Sequence, residues 1–349
     1  MAASDARTSA QFELEAKQVL PQKVFDFVMA GAGTERTVAA NEAAWHQYEI
    51  VPRALGGVAS ADTSTQILGT SYSAPMVLAP AGRQRALHPD GEIAAASAAE
   101  RFGTAYCLAT SATTDLHDLR SGHRWLQLYV STDRAWTEGV VGGAASSGYE
   151  LILVTVDRPT EAHRPRAARH GGLGPLPPGV HVTSHRGDGT TRSDDPGVWD
   201  PLIGWDDIRS LRSLTSVPIG VKGILRPDDA LRAVDAGAST VVVSNHGGRQ
   251  IDGAIATARA LPAIVSAVNG QVPVLVDGGI RTGGDIFRAL ALGARATLIG
   301  RPYLWALASG GAPAVKALLS QLREELREVM ALSGCAALGD ITPDLVSRL

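Results

Sequence analysis

Short apolar runs rich in Val, Ile and Leu recur along the chain and are bounded by Gly, Pro or Asp. Runs of this length without polar alternation are typical of strands buried on both faces of a parallel sheet. They predict eight strands: Met76–Ala79, Ala105–Ala109, Trp125–Val130, Leu151–Val156, Ile219–Lys222, Thr240–Ser244, Val274–Asp277 and Ala296–Ile299.

Stretches with helical spacing lie between most of these runs. They predict helices at Ile93–Arg101, Trp136–Ser146, Pro227–Ala236, Ala256–Val268 and Asp285–Leu292. Strands that alternate with helices indicate βαβ units, which occur in doubly wound open sheets and in (β/α)8 barrels. The count of eight strands, with polar residues at almost every strand's carboxyl end, favours the barrel. We therefore predict an α/β protein with a (β/α)8 TIM-barrel fold.

Further elements flank the predicted barrel. Helices are expected at Ala10–Leu20, Lys23–Ala30 and Thr37–His46 before the first strand, and at Ala312–Ser333 after the last. We interpret residues 1–349 as one domain, with an N-terminal helical cap at 1–70, the barrel at 71–310, and a C-terminal helix and tail at 311–349. Residues 163–207, after the fourth strand, show little periodicity and predict a mobile lid or disordered insert over the active-site face.

The composition excludes several function classes. The chain has 32 Lys+Arg against 35 Asp+Glu, which gives no electrostatic attraction to a nucleic acid. Its two cysteines, Cys107 and Cys335, do not form a disulfide framework. No apolar run approaches the ~20 residues that span a bilayer, and no secretory signal is evident. We expect a cytoplasmic enzyme without nucleic-acid or membrane partners, and interpret the peroxisomal-signal-like end Ser347-Arg348-Leu349 as chance.

Polar residues at the predicted carboxyl ends of the strands are the candidates for catalysis. Lys222 ends an apolar strand, where a cation is costly unless it faces an anion or a developing negative charge. His246 could take a proton near neutral pH, and Asp157 could stabilise the imidazolium that results. The alternatives are a lysine that reaches the rim and a core histidine bonded to the backbone.

Glycines and an arginine after the last two strands predict a phosphate site. Asp277-Gly278-Gly279 and Gly300-Arg301 would offer backbone N–H groups and a guanidinium to an anion. A simple turn is the alternative interpretation of Asp-Gly-Gly. The sequence shows no metal-ligand spacing and no nucleophile motif, so no metal is expected, and a redox cofactor fits better than hydrolysis.

Three motifs resemble those of the FMN-dependent L-2-hydroxy acid oxidases and dehydrogenases, which include glycolate oxidase, lactate oxidase and mandelate dehydrogenase. They are Val-Lys-Gly at 221–223, Ser-Asn-His-Gly-Gly-Arg-Gln-x-Asp-Gly at 244–253 and Asp-Gly-Gly-Ile-Arg at 277–281. The resemblance covers nearly the whole chain, and Phe25-Asp26-Phe27 looks closest to the hydroxymandelate oxidase branch. It implies FMN as cofactor, a small-molecule 2-hydroxy acid as substrate, O₂ or another electron acceptor, and a homo-oligomer, either tetramer or octamer.

The resemblance also implies roles on the substrate side. His246 would be the base, with Asp157 supporting its protonated form. Arg249 and Arg164 would bind the substrate carboxylate, which suits a planar guanidinium. Tyr129 would hydrogen-bond the substrate and assist its oxidation.

On the flavin side, Lys222 would stabilise the reduced ring. Gln127, Thr155 and Ser244 would hydrogen-bond the isoalloxazine. The remaining implied cofactor contacts are Ala81 and Gly82 near N5, Asp277 at the ribityl chain, and Gly279, Arg281, Gly300 and Arg301 at the phosphate.

Some residues depart from the family pattern. Phe27 stands where many members have tyrosine, which argues for a large or aromatic, mandelate-like substrate side chain. Gly82 replaces a common alanine and would enlarge the space at the flavin; in the related lactate monooxygenase, glycine accompanies oxidative decarboxylation. Arg83 replaces an aromatic residue or Met. Pointing inward, it could bind a second acidic group; pointing outward, it would be a solvated rim residue.

The resemblance therefore implies oxidation of a 2-hydroxy acid to the 2-keto acid, followed by reoxidation of the flavin by O₂, which forms hydrogen peroxide. The alternatives are the same oxidation with a quinone or other acceptor, an oxidative-decarboxylating monooxygenase acting on a pathway intermediate, and a non-catalytic flavin-binding protein. No membrane-binding segment interrupts the lid, which favours the oxidase over the quinone-linked form. The presence of His246, Asp157, Arg249 and Lys222 argues against the non-catalytic alternative.

Overall fold

Eight parallel strands close into a barrel in the computed structural model, which describes residues 7–185 and 199–349. The barrel strands are β4 (Met76–Leu78), β5 (Ala105–Leu108), β6 (His123–Leu128), β7 (Leu151–Thr155), β8 (Ile219–Ile224), β9 (Thr240–Val243), β10 (Val274–Val276) and β11 (Ala296–Ile299). They follow one another in chain order around the barrel, and β11 pairs with β4 to close it. The predicted TIM barrel is confirmed, and no strand end differs from its prediction by more than two residues.

Alternation of side chains along the strands explains both the core and the position of the site. In β7, Leu151 and Leu153 belong to the apolar cluster inside the barrel, whereas Ile152 and Val154 pack with the outer helices. All five residues of β7 are therefore buried, as the continuous apolar run predicts. The next inward position in β7 is Thr155, which lies above this inner core at the carboxyl end.

Helices surround the barrel and precede it. They are α1 (Ser9–Val19), α2 (Gln22–Met29), α3 (Arg36–Trp45), α4 (Gly91–Phe102), α5 (Arg134–Ser146), α6 (Pro165–Ala168), α7 (Trp205–Leu214), α8 (Pro227–Asp235), α9 (Thr257–Val268), α10 (Gly283–Ala291) and α11 (Arg301–Leu332). The predicted helix from Ala312 matches the part of α11 that follows Gly311, whereas the part of α11 at 301–309, directly after β11, was not predicted. Its helical geometry is interrupted at Gly310 and Gly311, and the Gly-Gly pair obscures the helix ahead of it in the sequence.

Two small antiparallel sheets complete the molecule. β1 (Tyr48–Ile50) pairs with β12 (Val346–Arg348), which joins the cap to the end of the chain. The hairpin of β2 (Thr65–Ile67) and β3 (Thr70–Tyr72) contributes Ile67 and Tyr72 to the inner barrel cluster.

The segment predicted as a lid, 163–207, is only partly within the described residues, since 186–198 lie outside them. Its described parts are not structureless: α6 lies within them, and α7 already begins at Trp205. The Thr183 N–H donates to the Ala112 carbonyl, and the Trp136 indole N–H donates to the Ser184 carbonyl. This part of the segment is therefore bonded to the loop after β5 and to the first turn of α5. Within the described ranges, no helix is long and apolar enough to cross a membrane.

Candidate active site

A cavity of about 390 Å³ lies at the carboxyl ends of the barrel strands. It is lined by fifteen of the predicted site residues: Phe27, Ala81, Gly82, Gln127, Tyr129, Thr155, Arg164, Lys222, His246, Arg249, Asp277, Gly279, Arg281, Gly300 and Arg301. The other two, Asp157 and Ser244, lie behind this lining and bond to His246 and Lys222 respectively. Loops that are far apart in sequence thus place all the predicted residues around one space.

His246 lies on a tight turn that follows β9. His246, Gly247 and Gly248 all have positive φ, and a Cβ at Gly248 would lie 2.7 Å from the Val38 backbone nitrogen. The two glycines therefore permit a left-handed turn in close contact with the cap. The turn brings His246 Nδ1 within 2.9 Å of Asp157 Oδ1, so the predicted pair is present.

The environment of this pair favours a neutral imidazole beside a carboxylate. Burial lowers the pKa of His246, and the nearby charges of Lys222 and Arg249 act in the same direction against Asp157. Burial would raise the pKa of Asp157, but the charge and hydrogen bond of His246, with Lys222, hold it below its usual range. An unprotonated histidine with an ionised partner is the form that a general base requires.

Lys222 is 4% exposed, which excludes the alternative of a lysine at the rim. Its Nζ lies 3.0 Å from Asp277 Oδ2 and donates to Ser244 Oγ at 2.8 Å. Burial acts to lower the pKa of Lys222, but Asp277 and Asp157 outweigh it and raise that pKa. The buried cation is thus paired within the protein.

Three residues lining the cavity carry buried polar atoms without a hydrogen-bond partner in the described part of the chain: Gln127 Nε2, Thr155 Oγ1 and Asp277 Oδ1. Gln127 Oε1 accepts from the Thr110 N–H, so its amide donor is held in place without a partner. Unsatisfied buried polar groups are rare and call for a ligand or water. These donors and acceptors fit the polar edge of the isoalloxazine ring and the ribityl chain of FMN.

The basic residues at the predicted phosphate end, Arg281 and Arg301, are half-buried and line the cavity. Arg301 Nη1 donates to the Gly247 carbonyl and its Nε to the Val28 carbonyl near the end of α2. Burial, with the nearby Arg281 charge, lowers the pKa of Arg301 to about 10, as expected for a guanidinium that lacks a full counter-charge. A Cβ at Gly300 would meet only Ala79 Cβ, at 4.0 Å, which leaves room for an anion.

Packing against the cap accounts for the glycine at position 279 at least as well as phosphate binding does. A Cβ there would lie 2.2 Å from the Asn41 carbonyl oxygen of α3. The same residue lines the cavity. Its lack of a side chain therefore allows the cap to approach the barrel next to the predicted cofactor site.

The structure changes the interpretation of Gly82. A Cβ added at Gly82 would lie 2.1 Å from Ser111 Oγ and 2.6 Å from the Ser111 carbonyl oxygen. The place of the missing methyl is therefore taken by Ser111, and the expectation that glycine leaves extra space is wrong on this side of the residue. Arg83, also left open by the sequence, is half-buried and lines the cavity.

Sequence reasoning missed Ser111, Arg158 and Glu161, which also line the cavity. The Arg158 guanidinium lies 5.1 Å from the Tyr129 ring centroid and forms an ion pair with Glu161. A signal was present for Arg158, because it directly follows Asp157 at the carboxyl end of a barrel strand.

The polar groups of this site meet at the carboxyl end of the barrel, where (β/α)8 enzymes carry their active sites. The unpaired polar atoms and the incompletely compensated Arg301 indicate that the site holds an anionic cofactor. The family model described as FMN-dependent dehydrogenase matches residues 16–348. The chain therefore belongs to the FMN-dependent 2-hydroxy acid oxidase and dehydrogenase family, and its cofactor is FMN.

Characterised relatives match over nearly their whole length. The chain is 42% identical to an L-lactate oxidase of Nostoc sp. over 95% of each chain. It is 41% identical to a 4-hydroxymandelate oxidase of Amycolatopsis orientalis, again over 95% of each. Among solved structures, a mandelate oxidase variant with (S)-mandelic acid superposes with a TM-score of 0.90 at 40% identity, covering 98% of both chains.

Proposed function

We propose that this enzyme oxidises an L-2-hydroxy acid to the 2-keto acid and is reoxidised by O₂, with release of hydrogen peroxide. The observation that carries the proposal is the His246–Asp157 pair, which faces the same cavity as Arg249 and the unpaired atoms that fit FMN. When bound, FMN supplies the two-electron acceptor that O₂ reoxidises.

His246 acts as the base in this proposal. Because Nδ1 is bonded to Asp157, Nε2 is the nitrogen available to take the substrate's α-proton or hydroxyl proton. Asp157 orients the ring and stabilises the imidazolium that forms. The proton taken from the substrate thus stays at His246 while the substrate loses its two electrons.

Two guanidiniums orient the substrate carboxylate. Arg249 Nη1 donates to the Phe27 and Ala30 carbonyls, at 3.0 and 2.7 Å, and these bonds hold its side chain at the cavity. Arg164 Nε donates to the Arg249 carbonyl at 2.9 Å, which keeps the two arginines together. Tyr129 lines the same space and serves as a substrate hydrogen-bond donor.

An apolar wall supports a substrate with a large or aromatic side chain. Phe27 lines the cavity with Tyr129 and Trp199, whose ring centroids are 5.3 Å apart. The mandelate oxidase neighbours, whose structures contain mandelic acid or benzoyl-formic acid, support the same preference. Such rings favour an apolar or aromatic group next to the reacting carbon.

Anaerobic mixing with (S)-mandelate and other L-2-hydroxy acids tests the proposal. The yellow flavin should bleach in the wild-type protein, and His246→Gln should abolish bleaching while it retains bound flavin. His46→Gln, at an exposed site on the cap, is the matched control and should bleach normally. Bleaching of His246→Gln at a near wild-type rate would show that His246 is not the base.

Oxidative decarboxylation is the alternative that Gly82 suggests from the sequence, although Ser111 takes the place of the missing methyl and gives this alternative no extra space there. In that reaction the keto acid and peroxide convert to the one-carbon-shorter acid, CO₂ and water before release. Product analysis after turnover in air separates the two outcomes. Equal amounts of keto acid and hydrogen peroxide support the oxidase, and the shorter acid with CO₂ supports the alternative.

A further inference from the structure

The charges at the mouth of the cavity do not balance within the described residues that line it. Glu161 pairs through one carboxylate oxygen with Arg158 and through the other, at 3.1 Å, with Arg164. Arg249, next to them, donates to backbone carbonyls. Three guanidiniums of the cavity lining therefore lie near a single carboxylate, and only two of them pair with it.

The electrostatics of Arg164 and Arg249 reflect this excess, whereas Tyr129 and Glu161 outweigh burial and raise the pKa of Arg158. Burial lowers the pKa of Arg164, and the charge of Arg158 lowers it further. Burial, together with the charges of Arg164 and Arg301, holds the pKa of Arg249 well below its usual range. Cations that destabilise one another in a cavity favour bound anions.

One substrate carboxylate does not satisfy all three arginines. In the proposed function, Arg249 and Arg164 bind the carboxylate next to the reacting carbon, which leaves Arg158. The Arg158 side chain is 19% exposed and lies over the Tyr129 ring, so it lines the cavity next to a proposed substrate contact. Stacking on Tyr129 and pairing with Glu161 hold its planar fork in one orientation, which suits bidentate binding of a carboxylate.

We propose that the preferred substrate is a 2-hydroxy acid with a second carboxylate at the far end of its side chain, and that Arg158 binds this second carboxylate. The inference rests on the proposed function and deepens it. An aromatic side chain remains compatible, since the acid group can be attached to a ring that packs against Phe27. Glu161 is then a positioning residue that orients Arg158.

Matched substrate pairs test the inference without any variant. L-2-hydroxyglutarate is compared with its 5-amide, and 4-carboxymandelate with 4-carbamoylmandelate, so that each pair differs mainly in charge. A charge-assisted bidentate contact should favour the acid over the amide in kcat/KM by about 10-fold or more in at least one pair. Equal kcat/KM values, or preference for the amide in both pairs, would overturn the proposal.

A variant then assigns the preference to Arg158. Arg158→Gln should reduce the acid-to-amide ratio to about one, and Arg158→Lys should retain part of it because the charge remains. Arg327→Gln is the matched control, because Arg327 also pairs with a glutamate three residues away, Glu324. This pair lies on the outer helix α11, so the variant should leave the acid-to-amide ratio unchanged. A wild-type ratio in a flavin-loaded Arg158→Gln protein would refute the assignment.

The experiments distinguish failure of the proposed function from failure of the present inference. If no 2-hydroxy acid, with one carboxylate or two, bleaches the bound flavin anaerobically, then the oxidase proposal itself is wrong. If monocarboxylic acids bleach it and the second carboxylate gives no advantage, only the present inference is wrong.

Discussion

Gly82 and Ser111 illustrate how a single residue can be understood only with its neighbour. The sequence offers a glycine where related oxidases have alanine, and this suggests an opening in the site. In the structure Ser111, from the loop after β5, occupies that opening with both its hydroxyl and its carbonyl. The two residues therefore form one packing unit beside the predicted flavin position.

We expect Gly82→Ala to destabilise the holoenzyme by roughly 1–3 kcal/mol, the usual range for overpacking. The measurement is urea unfolding, compared with Gly339→Ala, since a Cβ at Gly339 meets nothing within 4 Å. Adding Ser111→Gly should restore only part of the loss, because the carbonyl of residue 111 stays 2.6 Å from the new methyl. Equal stability of Gly82→Ala and Gly339→Ala would contradict this packing.

The pH dependence of flavin reduction should report His246. Its pKa lies below the ordinary value of 6.5, so the neutral base persists below that pH, and the rate should fall only on further acidification. Asp157→Asn removes a charge that raises this pKa, so the acid limb should move to still lower pH. The rate should also drop by about 10²-fold or more, because the imidazolium loses its partner. Anaerobic stopped-flow bleaching from roughly pH 5 to 8, where proteins tend to be most stable, gives both quantities. An acid limb that moves to higher pH in Asp157→Asn would refute the assignment.

Among the elements, α4 joins two of the loops that build the site. Glu92, in its first turn, accepts from the Gln84 N–H at 3.1 Å and from the Thr113 N–H and hydroxyl at 2.9 and 2.6 Å. Gln84 follows the loop that contains Gly82, and Thr113 follows Ser111. A buried carboxylate outside the cavity lining thus fixes the relative position of the loops after β4 and β5.

Glu92→Gln should destabilise the protein by about 1–3 kcal/mol, because the new amide N–H₂ would face backbone and hydroxyl donors in place of an acceptor. Thermal unfolding of the holoenzyme measures the effect. Glu100→Gln, on the exposed side of the same helix, is the matched control and should change little. Hydrogen exchange at residues 82–84 and 111–113 should be faster only in Glu92→Gln, and unchanged exchange there would argue against this linking role.

At the level of the whole molecule, the cap and the chain end close around the barrel. Arg249, from the loop after β9, and Arg301, the first residue of α11, donate to carbonyls at the end of α2, so the cap is bonded directly to the site. At the opposite end of the cap, β12 pairs with β1, and the Leu349 N–H donates to the Gln47 carbonyl at 2.9 Å.

Deletion of residues 346–349 should therefore lower stability although it removes no site residue. The loss of strand pairing leaves backbone groups of Tyr48–Ile50 without partners, for which we expect about 1–3 kcal/mol and a lower melting temperature. Ser347→Ala combined with Arg348→Ala keeps the backbone bonds and serves as the control. A melting temperature equal to that of the control would show that the pairing contributes nothing.

Most of the barrel and several site residues could be predicted because the sequence patterns that indicate them are local. The barrel strands are continuous apolar runs in the sequence, because both faces of each strand are covered in a closed barrel. His246 and its two glycines form a turn whose conformation depends on those residues themselves. The first part of α11 escaped prediction because Gly310 and Gly311 break the helical pattern just after it.

Pairing between distant residues required the tertiary structure. Lys222 can be recognised from the sequence as a cation in need of an anion. Its partner, Asp277, follows a different strand, and the family resemblance implies for Asp277 only a contact with the cofactor. The pairing of Glu161 with both Arg158 and Arg164 likewise could not be predicted, because spacing along a loop does not give the direction of a side chain. Local sequence patterns determine which helices and strands form and which side chains lie at the carboxyl end of the barrel. Closure of the barrel determines which of those side chains meet, because the distance between two residues in space does not follow from their separation in the sequence.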